Sequence, residues 1–327
     1  MNLFKTVVLM ALLSGLMIAV GGAAGGPRWA TVMLIASLAM DGFAYWFSAS
    51  IVLRMYHAQE VTREEAPELY DIVAQLAERA ELPMPRVAII ESDMPNAFAT
   101  GRNPSHAVVA ATTRLLDILD HDELAGVLAH EMTHVKHRDI LTASIAAAMA
   151  SVISWAAHIA FFFSGRDSDN WLKDLVLLLV APVAATLIQM AVSRSCEYAA
   201  DEGGGELTGN PLALARALQK LDDSVRHAEP PEEATPATAH MFIVNPFAGV
   251  KSKLTRLYAT HPATEDRIAK LEAMARERCR ANARRRGWRR YNKTFHKKLA
   301  SKEAKNSFDA NFIVYEVSSY LRHPFHR

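Results

Sequence analysis

The sequence has little cysteine and almost no net charge, and both shortages exclude classes of protein. Among 327 residues, only Cys196 and Cys279 are cysteines. Two thiols are too few for a disulfide framework, so we expect no structural bridge and a reducing compartment. The formal net charge is +1 with 22% charged residues. The whole-chain composition therefore indicates neither a nucleic-acid binder nor an acidic partner. We find no internal repeat.

Long apolar segments are what the chain does have. Four stretches offer roughly 18 or more mostly apolar residues, which is enough to cross a bilayer core. They cover approximately residues 3–22, 30–53, 141–163 and 175–192. The first also fits a signal peptide, because Lys5 precedes an apolar run that ends in small residues. Asp41 and His158 are polar residues inside the second and third spans, and we interpret them as paired within a helical bundle.

Basic residues near the span ends predict an orientation. One side would carry Lys5, Arg54, Arg63, Lys136, Arg138 and Arg194. The other side would carry Arg28, Arg166 and Lys173. Because positive residues accumulate on the cytoplasmic side of membrane proteins, the first side is predicted to be cytoplasmic.

Two soluble blocks of mixed α+β character are predicted beside the spans. The first contains helical spacing in "EEAPELYDIVAQLAERAEL" and strand-like runs in "RVAIIES" and "HAVVAATTRLL". A helix is expected to begin near Asp120, with Glu123 in a capping-box position, and to continue into the third span. The second block opens with "SRSCEYAADEGGG", whose glycines we expect to end a helix.

These elements divide the chain into five parts. Residues 1–53 form two transmembrane helices, and residues 141–192 form a transmembrane helical hairpin. Residues 54–140 and 193–277 form the two halves of one soluble domain, and residues 278–327 form a basic C-terminal tail.

The stretch "LAHEMTHVKH", residues 128–137, carries the pattern His-Glu-x-x-His. On a helix, His130 and His134 are separated by about 40°, so both rings can bind one ion. Glu131 lies where a carboxylate can activate water beside a metal without ligating it. An apolar stripe on the other side can pack against the domain: Leu124, Leu128 and Val135. The alternative for the motif alone is an exposed polar helix.

A third ligand has to come from elsewhere in the chain. His137 lies too far along the helix axis to share an ion with His130, and the position six residues after His134 is Ile140. Glu197 is the best candidate, because the two spans between it and His134 return the chain to the same side of the membrane. Asp201 lies on the same helical face as Glu197 and could accept a hydrogen bond from a ligating histidine.

The chain resembles the HtpX-type membrane zinc metalloproteases, which are related to the type I CAAX prenyl proteases. The resemblance covers about residues 1–275 and rests on "NAFATGRNPSHAVVA", "HEMTHVKHRDIL", "SRSCEYAAD", "HMFIVNPF" and "THPATEDRI". It implies a multi-pass α-helical membrane protein with a cytoplasmic α+β zincin-like (gluzincin) metalloprotease domain. It also implies a bacterial inner-membrane location and one zinc ion per chain.

The resemblance assigns roles to residues. It makes His130, His134 and Glu197 the zinc ligands, Glu131 the general base, and Asp201 a hydrogen-bond partner of a ligand. A histidine of the "HP" motif, His261, would stabilise the oxyanion, with Arg267 nearby. A strand would line the active-site cleft and pair with an extended substrate. Its residues are Ala97, Phe98, Ala99, Thr100 and Gly101.

The function implied is a membrane-bound zinc endopeptidase that cleaves misfolded or damaged membrane proteins in quality control and stress response. Two alternatives stay open. One is a non-catalytic membrane scaffold with a structural zinc, and the other is a protease that processes prenylated proteins. The sequence does not specify an oligomeric state.

The chain departs from the family pattern in two places. Cys196 stands where the family usually has arginine, so a charge is missing and a redox-sensitive thiol is possible. The tail after residue 277 is longer and more basic than the family leads us to expect. Its composition suits anionic lipid, a solvated tail is the alternative, and nucleic acid is disfavoured. The basic residues are Arg284, Arg285, Arg286, Arg289, Arg290, Lys293, Lys297 and Lys298, around Trp288 and Tyr291.

Overall fold

A computed structural model describes residues 2–145, 194–226, 241–246 and 262–282 of the chain. It divides into two compact units, residues 1–275 and 276–327. The described part of the second unit is 276–282, the end of a helix. All elements and contacts that follow belong to the first unit unless stated otherwise.

The first helix, α1 (Asn2–Met55), folds back on itself. Ser14 Oγ donates to Asp41 Oδ2 over 2.8 Å, although 27 residues of straight helix would extend for about 40 Å. The reversal occurs at Gly26, whose φ of +72° is in the left-handed region. The two halves of α1 are therefore antiparallel, and the predicted pairing of Asp41 inside a bundle is confirmed.

The C-terminal half of α1 has the length and composition of a membrane span. In the described part of the chain, Gly26–Met55 is the one helix long and apolar enough to cross a bilayer. A shorter apolar helix, Thr6–Ala19, precedes it. The other two predicted spans lie outside the described residues except for 141–145, and His158 lies outside them as well. The number of spans stays a prediction.

Among the described residues, four strands form the sheet: β1 (Gln59–Glu60), β2 (Arg86–Ile90), β3 (Ala97–Thr100) and β4 (Val108–Thr112). Their order is β1-β2-β4-β3. β2 and β4 are parallel, while β1 and β3 are antiparallel to their neighbours. Every residue of β3 and β4 is buried, as expected for the β-branched, aromatic and small residues that these strands contain. The predicted strands are confirmed, and β3 lies at one edge.

Helices cover the sheet and build the centre of the domain. The first three helices after α1 are α2 (Pro67–Ala80), α3 (Thr113–Ile118) and α4 (His121–His137). They are followed by α5 (139–145), α6 (Arg194–Thr208), α7 (Pro211–Val225) and α8 (264–282). α4 packs against α2, α6, α7 and β3, so it is the central helix of the domain.

The expectation that α4 continues without a break into the third predicted span is wrong. α4 ends at His137, because Arg138 adopts a left-handed conformation with φ 61°. The Arg138 amide donates to the carbonyls of His134 and Val135, which closes the helix end. The chain changes direction there before α5 begins.

The expectation that the glycine run ends a helix is also wrong. α6 continues through Gly203, Gly204 and Gly205 to Thr208, and the stop is Gly209 with φ 74°. A Cβ on Gly204 would lie 2.9 Å from the backbone nitrogen of His130, and one on Gly203 would lie 2.5 Å from Thr133. The missing side chains let α6 approach α4 closely. The glycines therefore serve packing at the site.

Candidate metal centre

α4 begins with the predicted capping box. The Glu123 amide donates to Asp120 Oδ1 over 2.9 Å, and the Asp120 amide donates to Glu123 Oε2 over 3.1 Å. The backbone hydrogen bond from Glu123 lowers the pKa of Asp120. Beyond this cap, Leu124, Leu128 and Val135 are buried as predicted. The opposite face of α4 carries the histidines.

His130, His134 and Glu197 lie together between α4 and α6. The two histidine Nε2 atoms are 3.2 Å apart. Glu197 places its carboxylate oxygens 3.7 Å from His130 Nε2 and 3.6 Å from His134 Nε2. Three ligand atoms of a tetrahedral zinc, at about 2.0–2.2 Å from the ion, would lie about 3.4 Å from one another. The triangle formed by the ligand atoms of His130, His134 and Glu197 therefore fits one zinc ion.

His130 is held by a buried network that comes from distant parts of the chain. Its Nδ1 lies 3.0 Å from Asp201 Oδ1. Arg267, which is 1% exposed, donates from Nε and Nη2 to the two oxygens of Asp201 over 2.8 and 2.7 Å. The ion pair with Arg267, opposed by burial, holds the pKa of Asp201 down at about 2. A permanent carboxylate at Nδ1 leaves Nε2 as the metal-binding nitrogen.

His134 has its own carboxylate partner, Asp139, at 3.2 Å from Nδ1. Sequence reasoning missed this residue. Both side chains are 15% exposed, so this pair lies nearer to solvent than the His130 pair. Burial lowers the pKa of His134, but the hydrogen bond to Asp139 and the charges of Glu197 and Glu131 outweigh it and raise the pKa to about 9. The surroundings of His134 thus favour positive charge.

The buried charges of the centre do not balance without a cation. Glu131, Glu197 and Asp201 are 6%, 4% and 2% exposed, and Arg267 is the buried cation beside them. When both histidines are neutral, as metal ligands must be, three carboxylates against one guanidinium leave two negative charges, which would be costly to bury unpaired. A divalent ion at the His130–His134–Glu197 triangle would neutralise them. Charge and geometry therefore indicate the same ligand.

Glu131 is held beside the triangle by the edge strand. The backbone amide of Ala99, in β3, donates to Glu131 Oε2 over 3.0 Å. Burial raises the pKa of Glu131, although the neighbouring histidines oppose this effect. A carboxylate with a raised pKa is suited to accept and return a proton near neutral pH.

Comparisons with known proteins found similar sequences and a similar structure. The model of "Peptidase family M48" matches residues 63–275. A protease HtpX homologue from Salinibacter ruber is 53% identical over 275 residues, which cover 84% of this chain and 99% of that protein. One from Methylibium petroleiphilum is 52% identical over 285 residues, covering 85% and 99%. The crystal structure of S. mikatae Ste24p matches with a TM-score of 0.47 and 16% identity, covering 83% of this chain and 65% of that chain.

The chain belongs to peptidase family M48. The resemblance predicted from the motifs is confirmed. Members of this family are zinc metalloproteases, so the chain is a zinc-dependent protease. In this M48 chain, the described residues that can hold the zinc are His130, His134 and Glu197.

Other predicted residues of this M48 peptidase have mixed outcomes. His261 lies outside the described residues. Arg267 belongs to the centre through Asp201 and also approaches Glu197 Oε2 to 3.8 Å. Cys196 is half-buried beside Glu197, and Cys279 is exposed in the second unit; neither forms a disulfide. The roles assigned to single residues stay predictions.

Asn96 is a second residue that sequence reasoning missed. Its side-chain amide donates to the Met241 carbonyl over 3.0 Å and accepts from the Ile243 amide over 3.1 Å. The Ile243 carbonyl in turn accepts from Arg267 over 2.7 Å. Asn96 directly precedes β3, so the segment 241–246 links the edge strand to the buried guanidinium. No helical or strand periodicity of the sequence signals this long-range contact.

Proposed function

We propose that this chain is a membrane-bound endopeptidase whose zinc is held by His130, His134 and Glu197, with Glu131 as the general base. The observation that carries the proposal is the triangle of ligand atoms with the buried Glu131 beside it. Within the described residues the cluster offers three protein ligands. Structural zinc sites usually have four, so three favour a catalytic site with an open position over a structural zinc.

The residues of the chain have separate tasks in this reaction. A bound zinc supplies a Lewis acid that polarises the scissile carbonyl and acidifies water. Glu131 accepts the proton of the attacking water at the oxygen of its carboxylate and returns it to the nitrogen of the leaving amine. The Ala99 amide fixes the orientation of Glu131. Asp201 and Asp139 hold the Nδ1 protons of the two histidines, which fixes both tautomers.

Extended substrates are proposed to lie along β3, at residues 97–101. β3 is the edge strand next to Glu131 in the described sheet. Pairing through backbone groups accepts many sequences, as an enzyme acting on misfolded or damaged membrane proteins requires. Cleavage of a prenylated peptide and of its unmodified twin should proceed at similar rates. A strong preference for the prenylated peptide would indicate a prenyl-protein processing enzyme instead.

Glu131→Gln tests the mechanism. We expect zinc content to stay at the wild-type level and casein hydrolysis by the detergent-purified protein to fall by at least about 100-fold, the usual contribution of a general base. Glu202→Gln, an exposed glutamate on α6, is the matched control and should cleave at the wild-type rate. Wild-type cleavage by Glu131→Gln would show that the assigned mechanism is wrong.

The proposed location is multi-pass in the bacterial inner membrane with the site on the cytoplasmic side. The support is the excess of basic residues on one side of the predicted spans. β1 begins only four residues after Met55, so the domain follows the apolar helix directly. In a Cys196→Ser variant, the exposed Cys279 should react with a membrane-impermeant maleimide only after cell lysis. Labelling in intact spheroplasts would place the domain on the other side.

A further inference from the structure

A cleft that is separate from the metal centre opens where α1 meets β1. Its volume is about 510 Å³, and its lining includes Ser50, Arg54, His57, Glu60 and Arg86. This volume is in the range of small-molecule sites. In the order β1-β2-β4-β3, β1 is the opposite edge from the β3 strand that contacts Glu131. The cleft therefore has no part in the proposed cleavage reaction.

The cleft carries surplus positive charge. Arg86 forms an ion pair with Glu60 across the β1–β2 edge. Arg54, in the last turn of α1, is exposed, and no carboxylate of the described residues lies within ion-pairing distance of it. A nearby anion would therefore meet Arg54 without displacing an existing partner.

The helix end does not cancel this charge, because its last carbonyl groups are already engaged. His57 adopts a left-handed conformation with φ 50°, which turns the chain after α1. The amide of Ala58 donates to Leu53, and the amide of His57 donates to Arg54, over 2.8 and 3.2 Å. A helix end closed in this way presents fewer carbonyl lone pairs to an approaching anion.

One face of α1 leads from the apolar surface to this cleft. Phe43, Phe47, Ser50 and Arg54 are spaced by four, three and four residues, so they share one side of the helix. The two phenylalanine rings are 4.8 Å apart and 52% and 49% exposed. Arg54 follows Phe47 by about 10 Å along the axis. A long basic side chain can bridge much of that distance towards the headgroup layer.

We propose that this cleft binds the phosphate headgroup of an anionic phospholipid, with an acyl chain against Phe43 and Phe47. A free phosphate would satisfy Arg54 but would leave the adjoining aromatic stripe unused, so the amphipathic face favours lipid. The inference rests on the membrane placement proposed above. It does not depend on the metal centre or on the basic tail.

Binding of fluorescent phosphatidylglycerol and phosphatidylcholine to the full chain in non-ionic detergent tests the proposal. We expect the wild type to bind the anionic lipid at least about fivefold more tightly. Arg54→Gln should lower that preference about fivefold, the contribution of one cation at a membrane surface, whereas Arg54→Lys should retain it. Phe47→Ala should weaken binding of both lipids and leave their ratio unchanged.

The matched control is Arg114→Gln. Arg114 is exposed like Arg54 but follows β4, at the other end of the sheet from Arg86. All variants keep the basic tail, so a difference between Arg54→Gln and Arg114→Gln reports the cleft. Equal lipid preference in these two variants, or no effect of Phe47→Ala, would overturn the proposal. Displacement of the lipid by millimolar inorganic phosphate would also overturn it, because the ligand would then be a small anion.

The lipid assay and the protease assay test the two proposals separately, because different substitutions should affect them. Glu131→Gln should bind phosphatidylglycerol like the wild type, and Arg54→Gln should hydrolyse casein at the wild-type rate in zwitterionic micelles. Loss of casein hydrolysis in Arg54→Gln would contradict the separation of the two sites.

Discussion

The two histidines of the metal centre lie one helical turn apart, but their surroundings differ. The side chains of His130 and its partner Asp201 are 2% and 3% exposed, and Arg267, 137 positions after His130, completes their network. His134 and Asp139 are both 15% exposed and five residues apart. One imidazole is thus oriented by the tertiary fold and the other by a local turn. We expect substitutions around His130 to have the larger effect on the stability of the protein. Substitutions around His134 should have the larger effect on how zinc affinity depends on pH.

The largest effect is expected from Arg267→Met. It leaves Asp201 as a buried carboxylate without its cation, which should destabilise the protein by about 3–5 kcal/mol. Thermal or denaturant unfolding of the purified protein measures the loss. Arg226→Met is the control, because Arg226 pairs with Asp222 but is 49% exposed and should cost about 1 kcal/mol or less. Equal losses in the two variants would mean that burial does not distinguish these pairs.

Asp201→Asn should have the next largest effect. Replacing the carboxylate that orients a ligating histidine weakens metal affinity by about 10–100-fold. Competition with a zinc chelator of known affinity would measure this change. Asp222→Asn removes another acid paired with an arginine, away from the metal ligands, and should leave zinc affinity unchanged. An unaltered affinity in Asp201→Asn would exclude its role in orienting His130.

The smallest effect is expected from Asp139→Asn, and it should depend on pH. Because His134 has a raised pKa of about 9, the metal-free site holds a proton below that pH, and zinc has to displace it. Apparent zinc affinity should therefore rise about tenfold per pH unit towards pH 9 and level off above it. The proton on His134 stabilises the metal-free fold fully below its unfolded pKa of about 6.5, and this stability is lost as pH rises through about 9.

Asp139→Asn replaces the charged acceptor that raises this pKa with a neutral amide. The affinity curve should then level off at a lower pH, and the affinity on the plateau should fall by about tenfold or less. Zinc competition measured from pH 6 to pH 9 on both proteins would show the difference. Parallel curves would contradict the assignment of Asp139 as the partner of His134.

Local patterns in the sequence predicted the parts of the fold that local interactions determine. The start of α4 follows from Asp120 and Glu123, and the shared face of His130 and His134 follows from their spacing. The prediction of Glu197 rested on the two predicted membrane spans between it and His134, and the number of spans stays a prediction. The structure brings Glu197 beside both histidines within α6, which adjoins α4.

The features that the sequence did not predict depend on backbone conformations that the residue types do not indicate. A left-handed helix end is usually glycine, but here it is Arg138. On an unbroken helix, Asp139 would point about 140° away from His134, and only the turn at Arg138 brings the two together. The run Gly203–Gly205 has the composition of a helix stop, yet the missing side chains of Gly203 and Gly204 are used for contact with α4. A local turn decided the first case, and tertiary packing decided the second.

The position of Arg267 has a consequence for biosynthesis. During translation, His130 and Asp201 are made before the guanidinium that neutralises Asp201, which arrives as residue 267 of 327. At about 5–20 residues per second, Asp201 would precede Arg267 by roughly 3–13 s. A nascent chain still attached to the ribosome thus carries the zinc motif without the ion pair that holds it in place. The active site is completed only when most of the polypeptide has been synthesised. An unfinished chain should therefore not cleave neighbouring proteins as the finished enzyme does.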